Sequence, residues 1–275
     1  MSEDSRAGII QSKIPPYYGR RPTESLHLLK DKWGCQTAHL DEQCRELLSH
    51  LDDAIEATKL AAPERSQRQP FNPDGSDRKR HTADQINPLN EERLLEARIW
   101  SRYRFDAPHI DDEPRLWATL VGVQVPLFDS RKKRGWGHID LLGIDEEGAP
   151  VIVELKKGNS SEVPLRPVLE VVSYAIALRK NWTRFAEQLR EQFEKIGRPY
   201  TPPASEGPFS CVVLAPSLYW EAWARDGRLG RAVSAESFSR FKELLSGFAE
   251  RGYPVTFGSV SDNSTAICSF PADSR

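Results

Sequence analysis

An α/β sandwich built on a mixed sheet is the fold class this sequence predicts. Three observations predict it. The elements run helix, three strands, helix, strand, helix, strands; one strand is alternating and another continuously apolar; and the helices carry their apolar residues on one stripe. The 275 residues suffice for one large domain or two modest ones, and for a sizeable core. Lys and Arg number 38 against 40 Asp and Glu, a formal net charge of −2. That excludes a generally basic protein coating nucleic acid, so an anionic partner must be held by a local patch. No run approaches the roughly 18 apolar residues of a membrane span, and no membrane partner is expected. The opening MSEDSRAGIIQSKIPPYYGRR lacks an apolar signal core. Cys35, Cys44, Cys211 and Cys268 show no C-x-x-C spacing, which argues against a zinc ribbon and a disulfide framework. A reducing cytoplasm is the expected location.

Residues 1–88 read as an N-terminal arm, a helix and a polar linker, and 89–275 as the main domain. The first thirty or so residues are polar, contain proline and show no period. From Asp41 to Leu60, Cys44, Leu47, Leu48, Leu51 and Ile55 share one helical face. Packing on the main body is the favoured use of that face; a protein partner or self-association through this helix is the alternative. Residues 62–88 are rich in Pro, Asp, Arg and Ser and read as a linker. The cluster Arg78, Lys79, Arg80 and His81 within it reads first as a solvated loop and second as a phosphate-touching strap.

Asn90 is a good N-cap for a helix to about Tyr103, with Glu92 and Glu96 on one face. Val121, Val123, Val125 and Leu127 alternate as in a strand, with Pro126 tolerated near its end. Strands His138–Asp145 and Val151–Lys156 are joined by DEEGAP, a run of turn formers. A helix over Pro164–Asn181 places Leu165, Val168, Leu169, Val172, Ala175 and Ile176 on one face. FSCVVLA (209–215) is a strand of the kind buried on both sides. A helix over Ser234–Arg251 carries Phe238, Phe241, Leu245 and Phe248 and stops at Gly252. Tyr253–Val260 and Thr265–Phe270 close the sheet.

The chemistry concentrates in GHIDLLGIDEEGAPVIVELKKG (137–158). Strand residues two apart point to the same side, so Glu154 and Lys156 share a face. If the two strands pair as an antiparallel hairpin in an even register, Asp140 joins them; an odd register would split the group. Unpaired charges on a covered face are costly. One explanation is a structural salt bridge such as Asp140–Lys156, which is weak support for a fold. The other is a hard-cation site, since Mg²⁺ takes one or two carboxylates and leaves other positions to water or phosphate. A lysine beside it would orient the attacking water or neutralise the transition state.

Asp140 followed by Glu154-Leu155-Lys156 across a short hairpin resembles the PD-(D/E)-x-K phosphodiesterase superfamily. A bare D…E-x-K is common by chance; a D-L-L strand, a turn and V-I-V-E-L-K-K is more specific. The resemblance spans roughly Asn90 to Pro216, with Ile139 where the motif has proline, a position loosely kept in such proteins. It implies a restriction-endonuclease-like fold: a mixed β-sheet core flanked by helices, here with an N-terminal helical extension. It implies Asp140, Glu154 and the Leu155 carbonyl as ligands of Mg²⁺ or Mn²⁺, and Lys156 as the catalytic lysine. Glu96 or Glu92 would add the glutamate many members carry on the preceding helix; Glu96 is taken as the candidate, although spacing does not choose. Arg166, Glu170 and Tyr174 form an i, i+4, i+8 row where some exonuclease-like members carry Gln-x-x-x-Tyr, with Glu170 replacing the glutamine.

Arg131, Lys132, Lys133 and Arg134 read either as a solvated loop or, favoured for their position, as a phosphate clamp, and Lys157 is a further expected nucleic-acid contact. Trp136 would either stack on a base or cover core. His138 alternates onto the Asp140 side, and Trp220 and Trp223 are expected in the core. The implied function is a metal-dependent nuclease hydrolysing phosphodiester bonds, with DNA as the expected substrate. The rivals are a catalytically silent nucleic-acid-binding module of the same fold and an assembly protein recruited through the N-terminal helix.

Overall fold

A computed structural model describes residues 24–33, 39–64, 91–105, 118–127, 136–195, 197, 200–202, 207–224, 235–261 and 264–269. Three short helices come first: α1 (Leu26–Trp33), α2 (Leu40–Ser49) and α3 (Leu51–Ala61). Helix α4 (Glu91–Tyr103) precedes strands β1 (Thr119–Pro126), β2 (His138–Ile144) and β3 (Pro150–Leu155). Helices α5 (Leu165–Lys180) and α6 (Trp182–Lys195) lead to β4 (Ser210–Pro216). Then come α7 (Ser217–Ala224), α8 (Ala235–Glu250), β5 (Val255–Ser261) and β6 (Ser264–Ser269).

The strands form one six-stranded sheet in sequence order. β1, β2 and β3 pair antiparallel, β3–β4 and β4–β5 pair parallel, and β5–β6 is antiparallel. Parallel neighbours need long crossovers, which α5–α6 and α7–α8 provide. The fold is thus a mixed α/β sheet flanked by helices, as the sequence predicts. β3 and β4 lie in the sheet interior, and the residues of β3 are buried throughout. That accounts for their continuous apolar runs.

The larger core lies where α5 covers the sheet. Ile152, Val213 and Ala215 meet Val168, Val172 and Ile176 of α5, and α1, α2, α3, α6 and α8 add Leu29, Leu47, Leu51, Phe185 and Phe248. The N-terminal helices therefore pack into the main core: α1 and α3 contact α5, and α2 contacts α8. The smaller core lies against α4, where Ile99 packs with Leu120, Leu141, Val153, Leu155 and Leu214.

The chain departs from the expected elements at several places. The single helix over 41–60 is two, broken at His50 (φ −134°, ψ 26°). The break lets Leu47 and Leu51 both stay buried while α2 faces α8 and α3 faces α5. α1 stands where an arm is expected. α6 and α7 are additional, and α6 buries Trp182, Phe185, Ala186, Leu189 and Phe193 at helical spacing. In β1 the alternation fails: Val121 and Val125 join the larger core while Val123 packs against the smaller. A register shift near Leu120–Gly122 and a left-handed Gln124 (φ 49°) interrupt the pleat there. The linker beyond Glu64, including Arg78–His81, lies outside the described residues.

Candidate active site

The hairpin register decides whether the proposed group exists. Leu142 stands opposite Ile152 and Leu141 opposite Val153, where the paired ladder ends. This is the even register. Beyond Leu141 the Asp140 side chain takes over as acceptor: its Oδ2 receives the Leu155 N–H at 2.9 Å. Gln124 donates to Asp140 Oδ1 at 2.9 Å and also to Glu96 Oε2. A primary amide has two hydrogens and can serve both carboxylates. Gln124 itself has left-handed backbone (φ 49°) within β1.

Just past the end of β3, Lys156 Nζ lies 2.7 Å from Glu154 Oε1, with both residues buried. The same ammonium is 3.2 Å from Glu162 and 3.4 Å from Glu170 Oε2. Glu170 Oε1 also meets Lys30 Nζ of α1 at 2.7 Å and accepts from the Tyr174 hydroxyl at 2.9 Å. Lys30 sits over the Tyr174 ring, 5.3 Å from its centroid. The site is therefore a junction of the C-terminal end of β3 with β1, β2, α1, α4, α5 and the loop before α5.

Burial sets the protonation behaviour. Desolvation, with the like charges of Glu92 and Glu170, pushes the Asp140 carboxyl up to about 7 against the Leu155 N–H and Lys156. Desolvation, then Asp140 and Glu170, hold Glu154 well above the carboxylate range against Lys156. Burial likewise raises Glu92, with Glu162 and Glu170 adding to it and Lys156 opposing. For Lys156, burial disfavours the ammonium, but Glu154, Glu170 and Glu162 outweigh it and raise its pKa. For Glu170, burial is again outweighed, this time by Lys156 and Lys30 and by hydrogen bonds from Lys30 and Tyr174, which hold its carboxyl down to about 2. The carboxyl groups of Glu92, Asp140, Glu154, Glu162 and Glu170 thus outnumber Lys156 and Lys30, and burial favours the protonated form of Glu92, Asp140 and Glu154.

That surplus suits a hard cation. Desolvated oxygen donors that repel one another lose free energy when a divalent ion takes the place of protons. Among the described residues no group of three or more His, Cys, Asp and Glu is arranged to hold a metal ion. Asp140 and Glu154 would therefore need a backbone oxygen, such as that of Leu155, or water to complete a coordination shell.

The sequence candidates divide clearly. Asp140, Glu154 and Lys156 meet. Glu96 reaches Asp140 through Gln124, whereas Glu92 acts by charge alone, on both Asp140 and Lys156. Lys157 is exposed just beyond β3. Arg131–Arg134 lie outside the described residues. Of the two uses expected for Trp136, the structure shows the core-covering one: it is buried, and the His27 ring lies flat on it, 4.3 Å between centroids and 7° between planes. Trp220 is buried and donates to the Gly258 carbonyl at 2.9 Å, while Trp223 packs against the core. Lys30, Gln124 and Glu162 are additions that sequence reasoning did not supply. Gln124 carried a signal, an amide within the apolar run VGVQVP; Glu162, in a polar loop, carried none.

Compared with known proteins, the chain matches no family model, no curated protein and no solved structure. No helix among the described residues is long and apolar enough to cross a membrane.

Proposed function

We propose that this chain is a divalent-cation-dependent phosphodiesterase of the PD-(D/E)-x-K type, a restriction-endonuclease-like nuclease with DNA as its substrate. The observation that carries the reading is the meeting of Asp140 with the buried Glu154–Lys156 pair at the shared end of β2 and β3. Asp140 and Glu154 would hold Mg²⁺ or Mn²⁺, and Gln124 and the Leu155 N–H fix the Asp140 carboxylate for that task. When bound, such an ion acidifies a coordinated water and polarises a phosphoryl oxygen. Lys156 then places a compact positive charge and donors against the developing charge on the phosphate, where preorganisation matters most. Lys157, exposed next to it, adds a sequence-independent phosphate contact.

Incubation with plasmid, linear and single-stranded DNA in Mg²⁺, Mn²⁺ or EDTA tests this directly. Cleavage with metal and none in EDTA is the expected result; no cleavage with either metal would overturn the reading. A second reading, a silent nucleic-acid-binding or assembly protein, draws support from the pairing of Lys156 with Glu154, Glu162 and Glu170, which also suits a purely structural network. It predicts no metal-dependent cleavage by the wild type and a loss of stability in Lys156→Met.

A further inference from the structure

Lys30 is a buried ammonium on a short helix from a polar stretch of sequence. Burying a charge there is expensive unless it is closely paired. Its setting is built rather than incidental. The Leu26 N–H is received by Thr58 Oγ1 of α3 at 2.8 Å, Asp31 lies 3.5 Å from Arg166 of α5, and His27 stacks on Trp136 ahead of β2. α1 is thus anchored on three sides, and Lys30 projects from it to Glu170 at 2.7 Å.

Glu170 divides its carboxylate. One oxygen takes Lys30 and the Tyr174 hydroxyl; the other faces Lys156 at 3.4 Å, while Lys156 stays closer to Glu154 at 2.7 Å. We infer that Lys30 is a positioning residue of the site: by sharing the charge of Glu170, it keeps Lys156 on Glu154 instead of drawn onto α5. Without Lys30, the buried Glu170 pulls on Lys156 undivided, and the lysine leaves the place where a phosphate would meet it. In this role Lys30 acts through Glu170. The consequence for turnover rests on the phosphodiesterase reading; the placement of Lys156 does not.

The test reads both quantities on the full chain. The Lys156 side-chain resonances (Cε and Nζ, assigned by their loss in Lys156→Arg) should shift in Lys30→Met and return towards wild type in Lys30→Arg. Tyr174→Phe removes the other donor to the same oxygen and should shift them less, in the same direction. It keeps the test decisive if Lys30→Met does not fold. Single-turnover cleavage with Mg²⁺ should fall about 10–100-fold in Lys30→Met, the scale usual for residues that act through a neighbour, with the apparent Kd for DNA near wild type and recovery in Lys30→Arg. Unchanged Lys156 resonances in the folded variant overturn the inference whatever the cleavage rate. Shifted resonances in a protein whose wild type cleaves nothing leave Lys30 as a positioning residue and remove the phosphodiesterase reading instead.

Discussion

Two cations are drawn into the protein along α5, and they are satisfied in different ways. Near its C-terminal end, Arg179 donates to the carbonyls of Gly207 and Gly252 at 2.7 and 3.0 Å. Its guanidinium lies between the rings of Phe209 and Tyr253, 4.6 and 4.3 Å from their centroids. Near the other end, Lys156 meets the carboxylates of Glu154, Glu162 and Glu170. Arg179 uses neutral dipoles and π faces, which suits a planar cation whose work is to tie the turn after α8 to the start of β4. Lys156 sits among more carboxyl groups than it and Lys30 can pair with, and burial raises the pKa of Asp140 and Glu154. A structural cation needs only enough partners to offset desolvation; on the proposed reading, the extra carboxyl groups around Lys156 would receive a second cation.

The largest effect that would sharpen this contrast is catalytic. Lys156→Met should retain most Mn²⁺ affinity by calorimetric titration yet lose about 10²–10³ in single-turnover rate, the usual loss for one preorganised electrostatic contact. Asp140→Ala should lose both. A folded Lys156→Met that cleaves like wild type would make the two cations equivalent, both structural.

Next in size is the structural cation. Arg179→Met removes two hydrogen bonds and two ring contacts. It should cost about 2–3 kcal/mol in urea unfolding at unchanged slope. The rate per folded molecule should be that of wild type; a rate loss matching that of Lys156→Met would break the division of roles.

The smallest effect is a pH slope in EDTA. The Asp140 carboxyl titrates at about 7 in the folded chain, against about 3.9 unfolded. Between those values the folded state binds more protons. The contribution is therefore present below the unfolded value and lost as pH rises towards 7, by at most about 1.4 kcal/mol per pH unit. Glu154, also raised, acts with the same sign. Glu170, held down to about 2, acts oppositely and only at lower pH. Asp140→Asn should therefore flatten, without abolishing, the fall in stability between about pH 4 and 7. An identical slope in both proteins would mean that Asp140 is not desolvated as its raised pKa requires.

Much of the fold was legible because its strongest signals are local. The strand of residues 210–216, helix α5 and the hairpin over 138–155 were readable from periodicity and turn formers within a few residues of their observed bounds. α1 was not, because LHLLKDKW offers less than three turns of pattern, and its stability comes from packing on α3 and α5. α6 was readable in principle: Trp182, Phe185, Ala186, Leu189 and Phe193 keep a helical period. The break at His50 was not, since the same apolar stripe suits one helix or two. The alternation of β1 misled at Val123 because a bulge and one left-handed residue reverse the side that spacing assigns.

The sequence by itself determined that Glu154 and Lys156 share a side, because strand parity is a property of the chain, and that β3, β4 and α5 are interior, because their apolar residues have no other place to go. Only the tertiary structure decided that Asp140 meets them, since register depends on how two strands pair. It also brought Gln124, Glu162 and Lys30 to the same place. Lys30 and Glu170 are 140 residues apart in the chain, and no local pattern records a contact that exists only because α1 packs onto α5.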